Sequence, residues 1–121
     1  MLGRLKRRSD FLRVQGSGRK WVSQSLILQV VDNMSPFCRY GITVSKKTSK
    51  SAVVRNRIKR RLRAVLCNVL PDHAKPGIDY VVVGRILGET CSAEMLEKDL
   101  LWCLKRMELR KEPETGAKNE G

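Results

Sequence analysis

The sequence predicts one α/β domain, in which strands and amphipathic helices share a single core. Three observations predict it: short segments with strand-like patterns, an apolar stripe at helical spacing within residues 51–70, and a second such stripe after residue 92. The chain has 121 residues, 41% of them hydrophobic, which suits one modest core. We expect the domain to span residues 1–110. A disordered polar tail should follow over residues 111–121, which lack large apolar side chains.

The first predicted element is a short helix over residues 9–15. Ser9 can act as its N-cap, and Asp10 suits the positive end of the helix dipole in the first turn. The glycines of the following "GSG" should end the helix.

Two strands are predicted next. The segment "WVSQSLILQVV" (residues 21–31) carries a run of β-branched and aliphatic residues, and "CRYGITVS" (residues 38–45) alternates large apolar with small or polar side chains. The intervening "DNMSP" has the composition of a turn. We therefore predict that these two strands pair as a hairpin.

A helix, a strand and a closing helix complete the order. Ser49 or Ser51 can begin the central helix, and Pro71 is expected to end it. The segment "PGIDYVVVGR" (residues 76–85) then predicts a strand. Apolar residues recur at helical spacing from Ser92 to about Arg110, which predicts an amphipathic helix at the end of the domain.

The charge of the chain indicates a polyanionic partner. Lys and Arg number 25 against 12 Asp and Glu, so the net charge of +13 exceeds what solubility requires. Nucleic acid is the first expectation, and an anionic membrane surface is the second. The apolar runs are far shorter than the ~20 residues of a spanning helix, and the N-terminus lacks the apolar segment of a signal peptide. We therefore expect a cytoplasmic protein without a membrane partner.

The central helix divides into an apolar side and a cationic side. At ~100° per residue, six apolar residues fall within an arc of roughly 120°: Val54, Ile58, Leu62, Val65, Leu66 and Val69. Cations occupy the remaining side, namely Arg57, Lys59, Arg60, Arg61 and Arg63, with Arg55 near the boundary. No acid occurs between Asp32 and Asp72, so this charge is uncompensated along the chain. Because guanidinium groups suit bidentate contacts with phosphate, the helix predicts binding of RNA or DNA.

The residues offer no pattern of a protein active site or metal centre. The four cysteines are widely spaced and His73 is the only histidine, so we expect free, buried thiols and no zinc. The acids fall mainly after residue 88, and no Asp/Glu pair with two-metal spacing accompanies the basic region. We therefore predict no catalytic residue in this chain.

The segment "YGITVSKKTSKSAVVRNRIKRRLR" (residues 40–63) resembles the signature of the protein subunit of bacterial ribonuclease P, whose hallmark is R-N-R within a basic helix. The resemblance extends to "RLKRRSDFLRV" before it and "DYVVVGR" after it, and covers most of residues 4–107. It implies a helix, three strands, a helix, a strand and a helix. The strands would form a four-stranded sheet with a left-handed crossover around the basic helix, whereas general topology rules favour a right-handed one.

The resemblance also implies a function. In the family, the RNA subunit holds the active-site magnesium ions and removes the 5′ leader of precursor tRNA, while the protein helps to bind both RNAs. The expected partners are therefore the catalytic RNA and precursor tRNA, with no protein partner required. Two alternatives from other classes remain: a ribosomal or other structural RNA-binding protein, and a protein-only nuclease, which would need metal-binding carboxylates near the basic helix.

Site residues follow from matching this sequence to the family pattern. The resemblance assigns contacts with the catalytic RNA to Arg55, Asn56, Arg57, Lys59, Arg60 and Arg61, and contacts with leader phosphates to Lys46 and Lys47. It also assigns Phe11, and Gln15 one helical turn later, to the leader cleft. Many family members carry an aromatic residue where this chain has Gln15. Seven residues separate the paired lysines from R-N-R here, where six are commoner.

Overall fold

Five strands form one mixed sheet in the spatial order β1-β4-β5-β3-β2. The computed structural model describes residues 2–107, apart from the side chain of residue 17. Its elements are β1 (Leu2–Arg4), α1 (Arg8–Ser17), β2 (Arg19–Val22), β3 (Leu26–Asp32), β4 (Cys38–Thr43), α2 (Ala52–His73), β5 (Ile78–Gly84), a 3-10 turn (Ile86–Glu89) and α3 (Ala93–Arg106). Residues 108–121 lie outside the described part, and with them the predicted tail and the expected end of the closing helix.

The predicted α/β class is confirmed, but the sheet has one strand more than the resemblance implies. Strand β1 pairs in parallel with β4, with Leu2 opposite Cys38 and Arg4 opposite Tyr40. Helix α2 connects β4 to β5, and these strands are parallel neighbours. The left-handed sense of this crossover stays a prediction.

The predicted hairpin between residues 21–31 and residues 38–45 is wrong, because β3 and β4 are not neighbours in the sheet. The segment of residues 21–31 contains the end of β2 and most of β3, and these two strands pair with each other in an antiparallel hairpin. Strand β5 then lies between β3 and β4 and pairs with both. The physical reason is burial: six of the seven residues of β5 are buried, and such a strand gains most from a central position with neighbours on both edges.

Three predicted helix ends are also wrong. The N-cap of α1 is Arg7 and not Ser9, because Arg7 is the last extended residue of the segment that follows β1. The same helix continues through Gly16 to Ser17. Pro71 lies inside α2, which runs two residues further to His73. A proline so close to the end removes only one helical hydrogen bond, and the helix tolerates it.

Helices cover both faces of the sheet. Helices α2 and α3 pack on one face, where the main core includes Leu28, Leu66 and Leu100, each 1% exposed or less. Helix α1 packs on the other face, over a smaller cluster centred on Val14 and Val81. No helix of the described residues is long and apolar enough to cross a membrane.

Among the described residues, which include all four cysteines, no disulfide forms, but the thiols are not all buried as predicted. Cys38 and Cys103 lie in the core, and burial raises the pKa of the Cys103 thiol to about 11. Cys67 is exposed, which contradicts the expectation, because it falls on the polar side of α2. Its sulfur lies 3.6 Å from the hydroxyl oxygen of Tyr40.

Candidate nucleic-acid interface

Helix α2 turns its apolar side to the core and its cationic side outward, as the sequence predicts. The buried side consists of Ile58, Leu62, Val65, Leu66, Val69 and Leu70. Of the two predicted start residues, Ser51 is the N-cap, because its Oγ accepts a hydrogen bond from the Val54 N–H at 3.2 Å. The first turn carries no acid, so the positive end of the helix dipole is left for an external anion.

Two cations near the start of α2 already have partners within the chain. Arg55 donates from Nη1 to the carbonyl oxygen of Ser49 at 2.8 Å. Arg57 donates from Nη1 to Oε2 of Glu89 at 2.6 Å, and 46% of its side chain is exposed. An exposed ion pair of this kind contributes about 0–1 kcal/mol. A phosphate can therefore replace Glu89 on Arg57 at little cost.

Arg61 holds the loop after β5 against α2. Its guanidinium donates to the carbonyl oxygen of Gly88 at 2.6 Å and also to the carbonyl oxygen of Cys91. The side chain is half-buried between these groups. Sequence reasoning missed this contact because the acceptors lie 27 and 30 residues away along the chain. Arg61 thus has a structural partner, which the matching to the family pattern did not reveal.

Three of the predicted contact residues on α2 have side chains without an internal partner. Asn56 and Arg60 are exposed and Lys59 is half-buried. Within residues 2–107, none of these three side chains makes a hydrogen bond or ion pair. Their polar groups are therefore available to a ligand without breaking a contact of the fold.

The neighbouring residues Arg60 and Arg61 should differ in their effect on stability when each is replaced by alanine. Arg60→Ala should weaken RNA binding and lower the log–log salt slope by about 0.7–0.9, with the melting temperature unchanged, because one phosphate contact is lost. Arg61→Ala should instead lower the free energy of unfolding by about 1–3 kcal/mol, because two carbonyl groups lose a charged donor. Filter binding over a salt series and urea unfolding measure the two effects. If Arg60→Ala and Arg61→Ala lowered the free energy of unfolding equally, Arg61 would have no special structural role.

Lys46 and Lys47 lie just beyond the end of β4, which ends at Thr43. Both side chains are exposed and make no hydrogen bond or ion pair within the described residues. They are the two central residues of a turn, in which the Thr48 N–H donates to the carbonyl oxygen of Ser45 at 3.0 Å. The two lysines therefore lie in the connection between the end of β4 and the start of α2.

Phe11 and Gln15 line one open groove on the α1 side of the sheet. The groove measures about 420 Å³ and is lined by Lys6, Arg8, Phe11, Leu12, Gln15 and Thr43. Phe11 is half-buried and also packs on the small cluster of Leu5, Val14 and Val81, so it is both a core residue and a groove wall. Because Phe11 and Gln15 are four residues apart in α1, they share a helix face, as predicted.

The Phe11 ring lies directly over the backbone of Gly41 in β4. A Cβ atom placed on Gly41 would come within 2.5 Å of Phe11 Cε1 and 2.6 Å of Phe11 Cζ. Only glycine leaves room for the ring at this position. The sequence carries no local signal of this contact, because the two residues lie 30 positions apart and belong to different elements.

A buried carboxylate links α1 to the sheet. The Asp79 side chain is fully buried, and Arg39 donates to it from Nε and Nη2 at 2.9 and 2.7 Å. Arg13 of α1 also forms an ion pair with this carboxylate, and Asn33 donates to it at 3.0 Å. Burial alone would raise the pKa of Asp79, but the hydrogen bonds from Arg39, Asn33 and Arg13 outweigh it and lower the pKa.

Sequence reasoning missed the Asp79 network and the cations of the groove. Arg39 and Asp79 are paired across β4 and β5, so the sheet register brings them together. Nothing in the local pattern predicts that pairing. Lys6 and Arg8 line the groove with Phe11, and the basic run "RLKRRSDF" beside Phe11 was the signal that could have found them.

The described residues do not fit a metal site. Within residues 2–107, no group of three or more His, Cys, Asp or Glu side chains lies close enough together to hold a metal ion. The Asp79 carboxylate is surrounded by arginines, and Glu89 faces Arg57.

Curated relatives share most of this chain. A sequence model of the family "Ribonuclease P" matches residues 2–108. A ribonuclease P protein component from Paramagnetospirillum magneticum is 47% identical over 111 residues, which cover 88% of this chain and 83% of the relative. Another from Synechocystis is 40% identical over 98 residues, covering 80% of this chain and 78% of the relative.

Solved structures share the fold. The RNase P protein of Staphylococcus aureus superposes with a TM-score of 0.73 at 28% identity, covering 89% of this chain and 97% of that one. The RNase P protein of Thermotoga maritima gives 0.73 at 29% identity, covering 85% of this chain and 96% of that one. The family match and these relatives agree with the signature in residues 40–63. The chain belongs to the ribonuclease P protein component family.

Proposed function

We propose that this chain binds the catalytic RNA of ribonuclease P and the 5′ leader of precursor tRNA, and thereby assists removal of the leader in the cytoplasm. The observation that carries the proposal is the set of unpartnered polar side chains on α2 of a family member, namely Asn56, Lys59 and Arg60. They lie on a helix whose first turn also favours anions.

Helix α2 is the proposed contact with the catalytic RNA. Arg60 and Lys59 supply phosphate contacts, and Asn56 can both donate and accept hydrogen bonds. Arg57 joins them once a phosphate replaces Glu89. Arg55 and Arg61 add positive charge at fixed positions, because their internal hydrogen bonds hold them in place.

The groove between α1 and the sheet is the proposed site of the leader. Phe11 offers a ring on which a base can stack, a contact that is worth about 1–3 kcal/mol per base. Lys6 and Arg8 line the same groove and can meet the phosphates of a single strand. Lys46 and Lys47 extend the positive charge past the end of β4. Gln15 supplies a hydrogen-bonding side chain where an aromatic residue would stack.

The proposal assigns the chemistry to the RNA. The acids of the described residues are dispersed or paired with arginine, so residues 2–107 offer no donor set for magnesium, and we propose that the RNA subunit holds that ion. The protein contributes fixed positive charge where RNA strands converge, which lowers their mutual repulsion.

Reconstitution with the matching RNA subunit and a precursor tRNA tests this function. We expect no cleavage by the pure protein, and faster cleavage at low magnesium when the protein joins the RNA, because fixed cations replace part of the magnesium that screens phosphate repulsion. Cleavage rates over a magnesium series measure the effect, with Arg60→Ala as the weakened variant. An RNA-binding chain that leaves the magnesium dependence unchanged would instead match a structural RNA-binding protein.

A further inference from the structure

A second aromatic and cationic surface lies on α3, near the edge strand β2. Trp102 is 45% exposed, and its ring centroid is 5.8 Å from that of Trp21 with an angle of 66° between the ring planes. Trp21 is half-buried against the main core, so the two indoles meet at an edge and Trp102 remains largely open. The indole of Trp102 therefore offers apolar aromatic surface to solvent.

The exposed indole borders a groove with cationic walls. The groove measures about 620 Å³ and is open to solvent. Val22 and Trp102 supply its apolar lining, and Lys98 and Arg85 supply positive charge. Arg85 also donates from Nη1 to the carbonyl oxygen of Ser23 at 2.7 Å, which holds its guanidinium at the groove wall. The Arg106 guanidinium carbon lies 5.4 Å from the Trp21 ring centroid, which adds a further cation beside the aromatic pair.

The acid of this groove is already engaged. Asp99 accepts hydrogen bonds from the N–H of Ser25 at 3.1 Å and from its Oγ at 2.5 Å. Its carboxylate thus faces the turn between β2 and β3. Lys98 lies four residues before Trp102 and therefore on the same side of α3. The groove offers an apolar ring together with positive charge, which complements a base and its phosphate.

We propose that this surface, formed by Trp102, Val22, Lys98 and Arg85, binds a single-stranded RNA segment. A base stacks on Trp102, while Lys98 and Arg85 contact the flanking phosphates. A protein partner fits less well, because the centre of a protein interface is depleted of charged residues and this apolar area amounts to one indole and one valine. This surface is formed by elements other than α1 and α2. If it does not bind RNA, the function proposed above is therefore unaffected.

Tryptophan fluorescence of the full chain carrying Trp21→Phe tests the proposal. This variant keeps an aromatic ring beside Arg106 and leaves Trp102 as the only tryptophan, whose emission is separated from that of the two tyrosines by selective excitation. We expect saturable quenching of Trp102 by a short oligoadenylate, and little change with an abasic ribose-phosphate oligomer of the same length, because only the former can stack. If Trp21→Phe lowers the melting temperature, the unaltered chain and Trp102→Phe are titrated instead, and their difference isolates Trp102.

Variants that remove one charge are tested by the same quenching of Trp102 fluorescence. Lys98→Ala should weaken the binding of oligoadenylate that the quenching curve measures. The log–log dependence of this binding constant on salt should become shallower by about 0.7, the value for one phosphate contact with a single strand. Lys75→Ala, which removes an exposed lysine near the start of β5, is the matched control and should leave the curve unchanged. The proposal falls if Trp102 emission stays constant while a labelled oligoadenylate binds, if the abasic oligomer quenches equally, or if Lys98→Ala matches the control. Emission that follows protein concentration and not RNA would indicate a chain–chain contact and would also overturn it.

Discussion

Asp79→Ala is expected to lower the free energy of unfolding by about 2–4 kcal/mol, because it removes the shared partner of two arginines. Removing one partner of a buried ion pair costs about 3–5 kcal/mol when the remaining charge stays buried. The side chains of Arg13 and Arg39 are each 37% exposed, so water can solvate them after the change. The expected loss is therefore smaller than that range. Urea unfolding of the two proteins at neutral pH measures the difference.

Asp10→Ala is the matched control for this prediction. Asp10 approaches the same Arg39 at 3.9 Å, but its side chain is 22% exposed and it makes no closer contact with Arg39. Its removal should cost less than about 1 kcal/mol. Comparable losses for Asp10→Ala and Asp79→Ala would show that the buried network contributes no more than a surface pair.

The pKa of Asp79 sets the pH dependence of this stabilisation. Its pKa is lowered in the folded chain, so the contribution is fully present above the unfolded value of ~3.9 and is lost as pH falls through the folded value. The difference in stability between the unaltered chain and Asp79→Ala should therefore shrink only below about pH 4. A difference that disappears at higher pH would contradict the lowered pKa.

Gly41→Ala should displace the Phe11 ring from the sheet and disturb the proposed leader groove. The new Cβ would lie 2.5 Å from Phe11 Cε1, so the ring must move. We expect a loss of stability of about 1–3 kcal/mol from overpacking. Affinity for precursor tRNA should fall by up to about 1–3 kcal/mol, the value of one stacked base, while affinity for mature tRNA holds. Titration of both RNAs with the reconstituted holoenzyme, below the melting temperature of the variant, separates the two effects.

Gly3→Ala provides a control on the neighbouring strand. Gly3 pairs with Arg39, and an added Cβ would meet its nearest atom, Cγ of Arg39, at 3.4 Å, an ordinary contact. Both stability and leader preference should therefore change little. If Gly41→Ala weakens precursor and mature tRNA equally, Phe11 acts only in the core and the leader does not contact it.

The helical period of α2 was readable from the sequence because it depends on residues close together along the chain. The stripe containing Ile58, Leu62 and Leu66 is buried, and the cations lie outside it. Strand β5 was also predicted from a local feature, its continuous apolar run. Arg60 and Asn56 were candidates for RNA contact on sequence grounds, and the structure leaves both exposed. Their role in binding stays a prediction.

Only the tertiary structure decided which charges have internal partners and how the strands are ordered. Arg61 looked equivalent to Arg60 in the helix pattern, yet its guanidinium meets carbonyl groups of a distant loop. Nothing in the local pattern around Asp79 predicts its partner, and the sheet register sets it beside Arg39. These contacts join residues 27 to 66 positions apart. Propensity and periodicity act over a few residues, so the cations left available for RNA are fixed by packing between elements, which no local pattern encodes.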